Sequence, residues 1–292
     1  MQKICVESFI TNRCGMTVEA FSNLAKRAHR QYRTWAEPKP GGGHRVINAP
    51  FGKLKTVQSL LKDEINKISI TPEIVGRPKT STVDAMIPHV RKPVVIAMDL
   101  ADFFPTVRNA MLIPIFERIL DDPKMAQDFV RIATRKNALP QGAPSSPGLA
   151  RLAIEPAFLD LKKALNAIDP RCHLTLWVDD LTISGPIGIA RMQKLVEKVF
   201  RRHGFAIQGR KTKVMRRSEE QENLGLKVNH SIEPVQETLD KFRQCVLTHG
   251  HNSPKANGYR RYFGAIKKAG ASADYAGVGV TSFSHLRPAV RG

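Results

Sequence analysis

The chain has 292 residues, well above the common domain size of about 100–150 residues, so it can bury a substantial core and carry more than one subdomain. Lysine and arginine total 46 against 26 for aspartate and glutamate, and the net charge of +20 favours a phosphate-rich partner over a merely well-solvated basic surface or an anionic membrane. The most apolar run, Val94–Met98, is far shorter than the roughly 20 residues that span a bilayer, and the N-terminal segment lacks the apolar stretch of a signal peptide, so we expect a cytoplasmic protein with no membrane partner.

The first third of the chain predicts two helices separated by a hairpin. Pro38–Gly43 has the composition of a turn, and the strand-like segment after it ends at Pro50. This arrangement places Lys39 and Arg45 near the tip of the hairpin. The predicted elements are a helix over residues 17–33, a strand at Arg45–Asn48 and a helix over residues 53–68.

The middle third predicts strands that end on carboxylates. Val94–Asp99 has the β-branched content of a buried strand and closes on an aspartate. Two further strands surround Asp179 and Asp180, which predicts a hairpin with both carboxylates at its tip. The remaining elements are helices over residues 110–120, 123–135 and 147–168 and the hairpin strands Leu174–Val178 and Leu181–Ser184.

The last third predicts short strands followed by basic helices. From Gly270 onward the chain is rich in Gly, Ala and Ser, which predicts a loosely ordered tail. The predicted elements are a basic helix over residues 187–203, short strands at Phe205–Gln208, Lys213–Met215 and Leu224–Asn229, and helices over residues 235–249 and 254–269.

Three carboxylates, Asp99, Asp179 and Asp180, have the chemistry of a metal site. Phosphoryl transfer needs two divalent ions about 4 Å apart, and Mg²⁺ keeps much of its water shell, so two or three carboxylates on rigid strands suffice to hold them. Taken singly, an aspartate that closes a strand or lies in a hairpin is more often a turn residue. The combination favours the metal site.

Five ordered motifs resemble those of reverse transcriptases. Residues 99–105 (DLADFFP), 139–147 (LPQGAPSSP) and 177–180 (WVDD) look like the three polymerase signatures of that family. Residues 204–213 and 224–229 (LGLKVN) are similar to two later motifs, and residues 39–47 and Gly76-Arg77 are similar to the fingers. The resemblance covers roughly residues 35–230.

Among bacterial members, the chain is most similar to the retron group. The resemblance rests on DLADFFP, on the Asp84-Ala85 element followed by His89, and on the GLKVN ending. The chain departs from the group at two places. Asn223-Leu224-Gly225 stands where retron enzymes carry Val-Thr-Gly, and Trp177 stands where they carry Tyr.

The resemblance implies an α/β (α+β) right-hand polymerase with fingers, a palm of antiparallel sheet plus helices, and a small helical thumb. Residues 1–92 would form an N-terminal helix and the fingers. Residues 93–230 would form the palm with the catalytic motifs, with fingers helices inserted at about 110–145. Residues 231–292 would form the thumb and a C-terminal tail.

The resemblance also implies the catalytic residues. Asp99, Asp179 and Asp180, together with the Leu100 carbonyl, would hold two Mg²⁺ ions, for which Mn²⁺ is a substitute. Lys211 matches the lysine that protonates the leaving pyrophosphate as a general acid.

Further residues match those that contact the substrates. Phe104 matches the aromatic gate that excludes a 2′-hydroxyl, which implies dNTP use, although Phe103-Phe104 would equally serve core packing. Lys39 and Arg45 would grip the triphosphate, since an arginine fork suits phosphate oxygens. The other nucleotide-binding residues implied are Arg77, Gln141 and Gly142, with a plain turn into the next helix as the alternative for the last two.

The implied primer and template residues are Trp177, Leu224, Gly225, Arg260 and Arg261. Trp177 offers a flat surface near the primer terminus, with core packing as an equal alternative. The C-terminal helices interleave basic residues with Tyr259, Tyr262 and Phe263, which suits duplex backbone and exposed bases as well as it suits a solvated helix face.

The implied function is an RNA-directed DNA polymerase that extends a primer with dNTPs on a structured non-coding RNA and so carries an RNA–DNA product. It would act in a retron-type antiphage defence system with an effector protein. Two alternatives remain, an untemplated or protein-primed DNA polymerase and a non-catalytic RNA-binding scaffold. The scaffold is disfavoured because closely spaced carboxylates repel each other and cost stability without a metal.

Overall fold

The structure is a computed structural model that describes residues 3–39, 42–186 and 190–272. Its N-terminal region consists of helices around a long antiparallel hairpin, whose register runs from Tyr32 opposite Pro50 to Pro38 opposite His44. The predicted hairpin is therefore confirmed, whereas the predicted helix over residues 17–33 ends early because Tyr32 begins a strand. The elements are helix α1 (Val6–Ser8), a π-helix (Phe9–Arg13), helix α2 (Val18–Arg27), strands β1 (Tyr32–Pro38) and β2 (His44–Pro50), and helix α3 (Gly52–Ile65).

A mixed sheet forms the centre of the fold. Its strands are β3 (Ile74–Val75), β4 (Val94–Asp99), β5 (His173–Trp177), β6 (Asp180–Gly185) and β7 (Lys213–Arg216). Their order across the sheet is β3-β5-β6-β4-β7, and all neighbours are antiparallel except the parallel pair β3 and β5. The strand predicted at Val94–Asp99 is confirmed at both ends.

The apolar run in β4 is explained by its inner position in the sheet, between β6 and β7. Ile96 and Met98 lie in the main core, with apolar residues of the surrounding helices. Val95 and Ala97 lie in a second core. Because successive side chains of a strand point to opposite faces, a strand that is covered on both faces needs apolar residues at every position.

Helices between the sheet strands build the cores. Val83 and Met86 of the first of these helices lie in the second core, and the later helices build the main core. Three of them confirm the helices predicted between the carboxylate strands, and Pro147 lies in the first turn of the last one, where its missing amide hydrogen costs nothing. The helices are α4 (Thr82–Met86), α5 (Phe103–Thr106), α6 (Asn109–Ile119), α7 (Ala126–Ala133) and α8 (Ser146–Ile168).

The C-terminal region consists of small strands and two long helices. The elements are helix α9 (Ala190–Arg202), strands β8 (Glu222–Asn223), β9 (Leu226–Lys227) and β10 (Glu233–Pro234), and helices α10 (Gln236–His249) and α11 (Pro254–Ser272). Helix α11 continues past Gly270, and the rest of the predicted tail, residues 273–292, lies outside the described residues. No helix in the described ranges has both the length and the apolar content needed to cross a bilayer.

Two strand predictions in this region are wrong. Phe205–Gln208 is not a strand, since Ile207 forms only an isolated bridge with Leu100. Leu224–Asn229 is not one strand either, because Leu224 and Gly225 have φ angles of +53° and +75° and form a turn between β8 and β9. At Ile207 a contact with a residue distant in sequence, and at Leu224 a tight turn, override the strand propensity of the side chains.

His89 is a buried polar residue that ties β5 to β6. Its Nε2 lies 2.8 Å from Thr175 Oγ1 and its Nδ1 lies 2.7 Å from Ser184 Oγ. The Thr175 hydroxyl donates its hydrogen to the Ala85 carbonyl, so it must accept from Nε2–H, and Nδ1 must then accept from Ser184. The neutral imidazole satisfies all of these bonds, and burial lowers the pKa of His89 to about 3, with further lowering from nearby His173 and Lys92.

We expect acid to destabilise the fold through His89. The unfolded imidazole binds a proton near pH 6.5 and the buried one only near pH 3, so between these values the unfolded state binds more protons and the fold loses about 1.4 kcal/mol per pH unit. His89→Gln cannot titrate, and urea unfolding of both proteins from pH 7.5 to 4.5 should therefore show the wild-type stability falling toward that of the variant. A stability difference that stays constant across this range would contradict the assignment.

Candidate active site

The sheet brings Asp99, Asp179 and Asp180 together. Asp99 is the last residue of β4 and Asp180 is the first residue of β6, and the two are direct cross-strand partners. Asp179 precedes Asp180 in a two-residue turn, and its carbonyl accepts a 3.0 Å hydrogen bond from the Leu100 amide. We call these three residues the carboxylate cluster. Its position is set by strand register alone.

The turn that carries Asp179 has a strained backbone. Trp177 pairs with Asp180, which leaves Val178 and Asp179 as the turn residues. Val178 has a φ angle of +58°, a region that β-branched residues rarely occupy. Strain of this kind costs on the order of 1–3 kcal/mol and concentrates at functional sites.

Burial and neighbouring carboxylates raise the pKa of Asp179 and Asp180. Burial raises the pKa of Asp180 to about 7, and the charges of Asp179 and Asp99 contribute to the same shift. Burial and the charge of Asp99 also raise the pKa of Asp179. The cluster therefore carries negative charge that the protein does not fully neutralise, and a cation would relieve this repulsion.

Lys211 partly supplies that cation. Its ammonium nitrogen lies 2.6 Å from Asp99 Oδ2, and this hydrogen bond raises the pKa of Lys211. Among the described residues, no three His, Cys, Asp or Glu side chains already converge on one point where an ion could bind. The carboxylate oxygens of the cluster are nevertheless the kind of ligand that a divalent ion prefers. Lys211 would compete with such an ion for Asp99.

A cavity of about 690 Å³ opens in front of the cluster. One wall comes from the β1–β2 hairpin and the other from the ends of the sheet strands, so the cavity has a cationic side facing an anionic side. The described residues that line it are Lys39, Gly42, Arg45, Asp99, Leu100, Ala101, Asp102, Phe103, Gln141, Asp179, Gln208 and Lys211. We call it the main cavity.

The loop before α8 fixes the hairpin against the rest of the protein. The Asn48 amide on β2 donates a 2.7 Å hydrogen bond to the Gln141 carbonyl. Gly142 has a φ angle of +100°, and a Cβ at this position would lie 2.8 Å from Ile47 Cγ2. The close approach of hairpin and loop therefore requires glycine.

Three residues of the predicted nucleotide set, Phe104, Arg77 and Gly142, are absent from the described lining of the main cavity. Phe104 is half-buried beside Phe103, with ring centroids 5.5 Å apart, and it is the buried Phe103 that belongs to the cavity wall. Arg77 lies near Arg151 and lowers its pKa, after the larger effect of burial. Leu100, in contrast, lines the cavity, and no backbone hydrogen bond to its carbonyl is found among the described residues.

The predicted primer and template residues lie outside the main cavity lining. Trp177 is half-buried at the end of β5. Leu224 and Gly225 form the β8–β9 turn, and the Gly225 carbonyl accepts a hydrogen bond from the Val235 amide. Asn223 before this turn donates a 2.8 Å hydrogen bond to Thr182 on β6, two residues from Asp180. The departure from the retron pattern at Asn223 thus coincides with a direct contact to the strand that carries the cluster.

The C-terminal aromatics serve packing. Phe242 on α10 contacts Tyr259 and Phe263 on α11, with ring centroids 5.6 and 5.3 Å apart. The Tyr262 hydroxyl lies 3.2 Å from Thr82 Oγ1 on α4. Tyr259 and Tyr262 remain half-buried, and Arg260 and Arg261 are exposed on α11.

The sequence did not single out Asp102 and Gln208 for the site. Asp102 lies on the cavity wall with a φ angle of +42°, a conformation that aspartate tolerates better than most residues. The Gln208 amide donates a 2.7 Å hydrogen bond to the Asp99 carbonyl. Asp102 lies within the DLADFFP motif and could have been found there, whereas nothing in the sequence around Gln208 signals its contact.

Comparison with known proteins gives one consistent family. A family model described as reverse transcriptase (RNA-dependent DNA polymerase) matches residues 37–228. The chain is 29% identical over 238 residues to the Retron Mx65 reverse transcriptase of Myxococcus xanthus, covering 73% of this chain and 55% of that protein. It is 29% identical over 203 residues to the Retron Ec86 reverse transcriptase of Escherichia coli, covering 68% of this chain and 63% of that protein. The chain thus spans less than two thirds of the length of these relatives. Both matches confirm the predicted resemblance to the retron group.

A solved structure has a similar fold. The telomerase from Candida albicans, determined in complex with the TWJ fragment of telomeric RNA, matches with a TM-score of 0.52 over 81% of this chain and 56% of that chain, at 11% sequence identity. At this identity the match concerns the fold alone. It confirms the predicted right-hand polymerase fold.

We expect Gly142→Ala to lower the unfolding free energy by about 2 kcal/mol, because the methyl group would meet Ile47 at a left-handed φ angle. Adding Ile47→Ala should relieve the clash but not the backbone strain, so the double variant should be more stable than the sum of the two single changes predicts. Urea unfolding measures the unfolding free energy of the wild type, the two single variants and the double variant. The control is Gly258→Ala on α11, where no atom lies within 4 Å of the new methyl group and the change should be neutral or stabilising. Strict additivity of Gly142→Ala and Ile47→Ala would contradict the contact.

We expect Lys211→Met to tighten Mn²⁺ binding about fivefold, because Asp99 loses its competing cation. The effect should be modest because 59% of the Lys211 side chain is exposed and its charge is screened by water. Titration of the nucleotide-free protein with Mn²⁺, followed by electron paramagnetic resonance, measures the affinity. Lys213→Met on the neighbouring strand removes an exposed charge that has no bond to Asp99. Equal affinities in the two variants would show that Lys211 does not compete with the ion.

Proposed function

This chain belongs to the reverse transcriptase (RNA-dependent DNA polymerase) family, and from this premise we propose that it adds deoxynucleotides to a primer on an RNA template. The observation that carries the proposal is the main cavity. Among the described residues, Asp99 and Asp179 of the carboxylate cluster line it together with Lys39 and Arg45 of the hairpin, and carboxylates and cations are the two halves of a phosphoryl-transfer site.

Asp99, Asp179, Asp180 and the Leu100 carbonyl would hold two Mg²⁺ ions, with Mn²⁺ as a substitute. When bound, the ions would activate the primer 3′-hydroxyl and neutralise the charge of the leaving pyrophosphate. The raised pKa values of Asp179 and Asp180 support this assignment, since burial and, after it, the charges of neighbouring carboxylates disfavour the ionised forms, and a cation would offset both effects. Rigid strands at Asp99 and Asp180 keep the carboxylates in place for it.

The cations of the cavity would bind the nucleotide. Lys39 and Arg45 would hold the triphosphate opposite the cluster, and the Gln141 loop would lie against the base. Lys211 is kept protonated by its hydrogen bond to Asp99, so it holds a proton that it can give to the leaving pyrophosphate once it turns away from Asp99. Phe104 would act as the gate against ribonucleotides through a movement that brings it to the cavity.

The names of the similar proteins support a cellular setting. Both relatives are reverse transcriptases of retrons, so we infer that the template is a structured non-coding RNA that stays with its DNA product. The formal charge of +20 fits an RNA-bound protein. We further infer a cytoplasmic protein that acts in antiphage defence together with an effector protein. Arg260 and Arg261, exposed on α11, would contact the backbone of the RNA–DNA duplex.

The test is deoxynucleotide incorporation on a defined RNA template with a DNA primer. We expect the wild type to extend the primer with Mg²⁺ and dNTPs, and Asp179→Asn/Asp180→Asn to lose at least about 100-fold in rate, because the loss of metal-bound charge stabilisation costs several kcal/mol. Glu237→Gln/Asp240→Asn removes two exposed carboxylates of α10 and should leave the rate unchanged.

Two results would point elsewhere. Extension that is equally fast without any template would support an untemplated polymerase. Tight RNA binding without incorporation, on templates both with and without structure, would support the scaffold.

A further inference from the structure

A second cavity, of about 360 Å³, adjoins the main cavity and has a strongly basic lining. Of the described residues that line it, only Asp102 is acidic. The basic residues that line it are Lys39, His44, Arg45, Arg108, Arg135 and Lys136. We call it the basic pocket. Glu37, whose Oε2 lies 3.7 Å from Arg45 Nε, and Asp102 offset part of this charge, and the remaining lysine and arginine charges favour an anion in the pocket.

Arg135 has a fixed orientation in this pocket. Its guanidinium donates hydrogen bonds to Thr34 Oγ1 on β1 and to Asn48 Oδ1 on β2. It also lies over the Tyr32 ring, 5.2 Å from the centroid. These contacts tie the end of α7 to the hairpin and hold one planar cation at the pocket wall, which is the arrangement that suits phosphate oxygens.

Lys136 is held at the pocket by a tight turn. Arg135 and Ala138 exchange backbone hydrogen bonds of 2.9 and 3.2 Å, which leaves Lys136 and Asn137 as the two turn residues. Both have positive φ angles, of +50° and +65°. Turns of this kind favour asparagine, aspartate or glycine at both positions, so turn geometry does not explain a lysine at the first of them.

The two cavities share a wall. Lys39, Arg45, Asp102 and Gln141 line both of them. Arg108, Arg135 and Lys136 line the basic pocket and are absent from the described lining of the main cavity. An anion that leaves the main cavity past the hairpin therefore remains in contact with Lys39 and Arg45 when it reaches the three further cations.

We propose that the basic pocket is a second polyphosphate-binding subsite, which takes up inorganic pyrophosphate after it leaves the main cavity. The proposal rests on the proposed function, because only nucleotide transfer supplies pyrophosphate there. A compact concave pocket suits a small polyanion, whereas an RNA backbone needs an extended groove. The subsite would hold the product through Arg108, Arg135 and Lys136 beside the main cavity, from which pyrophosphate can return and oppose the next nucleotide transfer.

The first test is direct binding of inorganic pyrophosphate, measured by isothermal titration calorimetry on the nucleotide-free protein. Arg108→Gln/Lys136→Gln should weaken binding roughly tenfold or more, since it removes two charged contacts. Lys136→Gln alone removes one of these two contacts and should weaken binding roughly threefold. Lys136 is exposed, so this substitution should not disturb the fold. The control is Arg118→Gln/Lys124→Gln, which removes two exposed charges of the same region outside the pocket and should bind like the wild type.

Two outcomes would overturn the proposal. Unchanged pyrophosphate affinity in both pocket variants would mean that the anion binds only in the main cavity. Lower affinity for single-stranded RNA with unchanged pyrophosphate affinity would mean that the pocket binds RNA backbone instead. Neither measurement requires catalysis, so a failure of the proposed polymerase activity would be visible separately, as absent incorporation with intact pyrophosphate binding.

The kinetic consequence is measurable on the working enzyme. In primer extension, pyrophosphate should inhibit Arg108→Gln/Lys136→Gln about tenfold less strongly than it inhibits the control variant. Equal inhibition of the two variants would contradict a product subsite even if the titration detected binding.

Discussion

Repulsion among three carboxylates is the constraint on which this structure depends. The pairing of β4 with β6 fixes Asp99 opposite Asp180, and the turn adds Asp179 next to them, so the negative charges cannot separate without breaking the sheet. Burial, and after it the charges of the neighbouring carboxylates, raises the pKa of Asp179 and Asp180, which is the direction expected when carboxylates are held close together. A fold can keep such a cluster only if packing elsewhere holds the strands in register.

Packing on both faces of the sheet provides that support. Ile96 and Met98 of β4 lie in the main core, and Val95 and Ala97 lie in the second core. Polar side chains reinforce the adjacent strands, since His89 bridges Thr175 and Ser184 while Asn223 bonds to Thr182. Buried apolar side chains and satisfied buried hydrogen bonds therefore hold in place the strand ends that carry the cluster.

The sequence predicted the site better where the signal was local. Val94–Asp99 was placed correctly because a strand buried on both faces is apolar at every position and stops at its first charge. The contact of Gln208 with Asp99 depends on a partner far along the chain, so local pattern could not find it. The turn at Leu224 rests on positive φ angles at Leu224 and Gly225 that the apolar pattern does not signal. The motif also did not show that Phe103, and not Phe104, lies on the cavity wall, since two adjacent aromatic residues have the same composition whichever points inward.

The packing that holds the carboxylate cluster together also fixes the position of the C-terminal helix α11. Phe263 and Ile266 of α11 belong to the second core, together with Val95 of β4 and Met215 of β7. Burying each of these two helix residues contributes about 1.5–3 kcal/mol, so α11 is held against the sheet and is not an independent arm. Strand β4 ends at Asp99, and β7 begins two residues after Lys211, so the two partners of the ion pair are attached to strands that α11 covers. Nucleic acid bound by the exposed arginines of α11 would thus be positioned relative to the carboxylate cluster by the core packing that also keeps the cluster assembled.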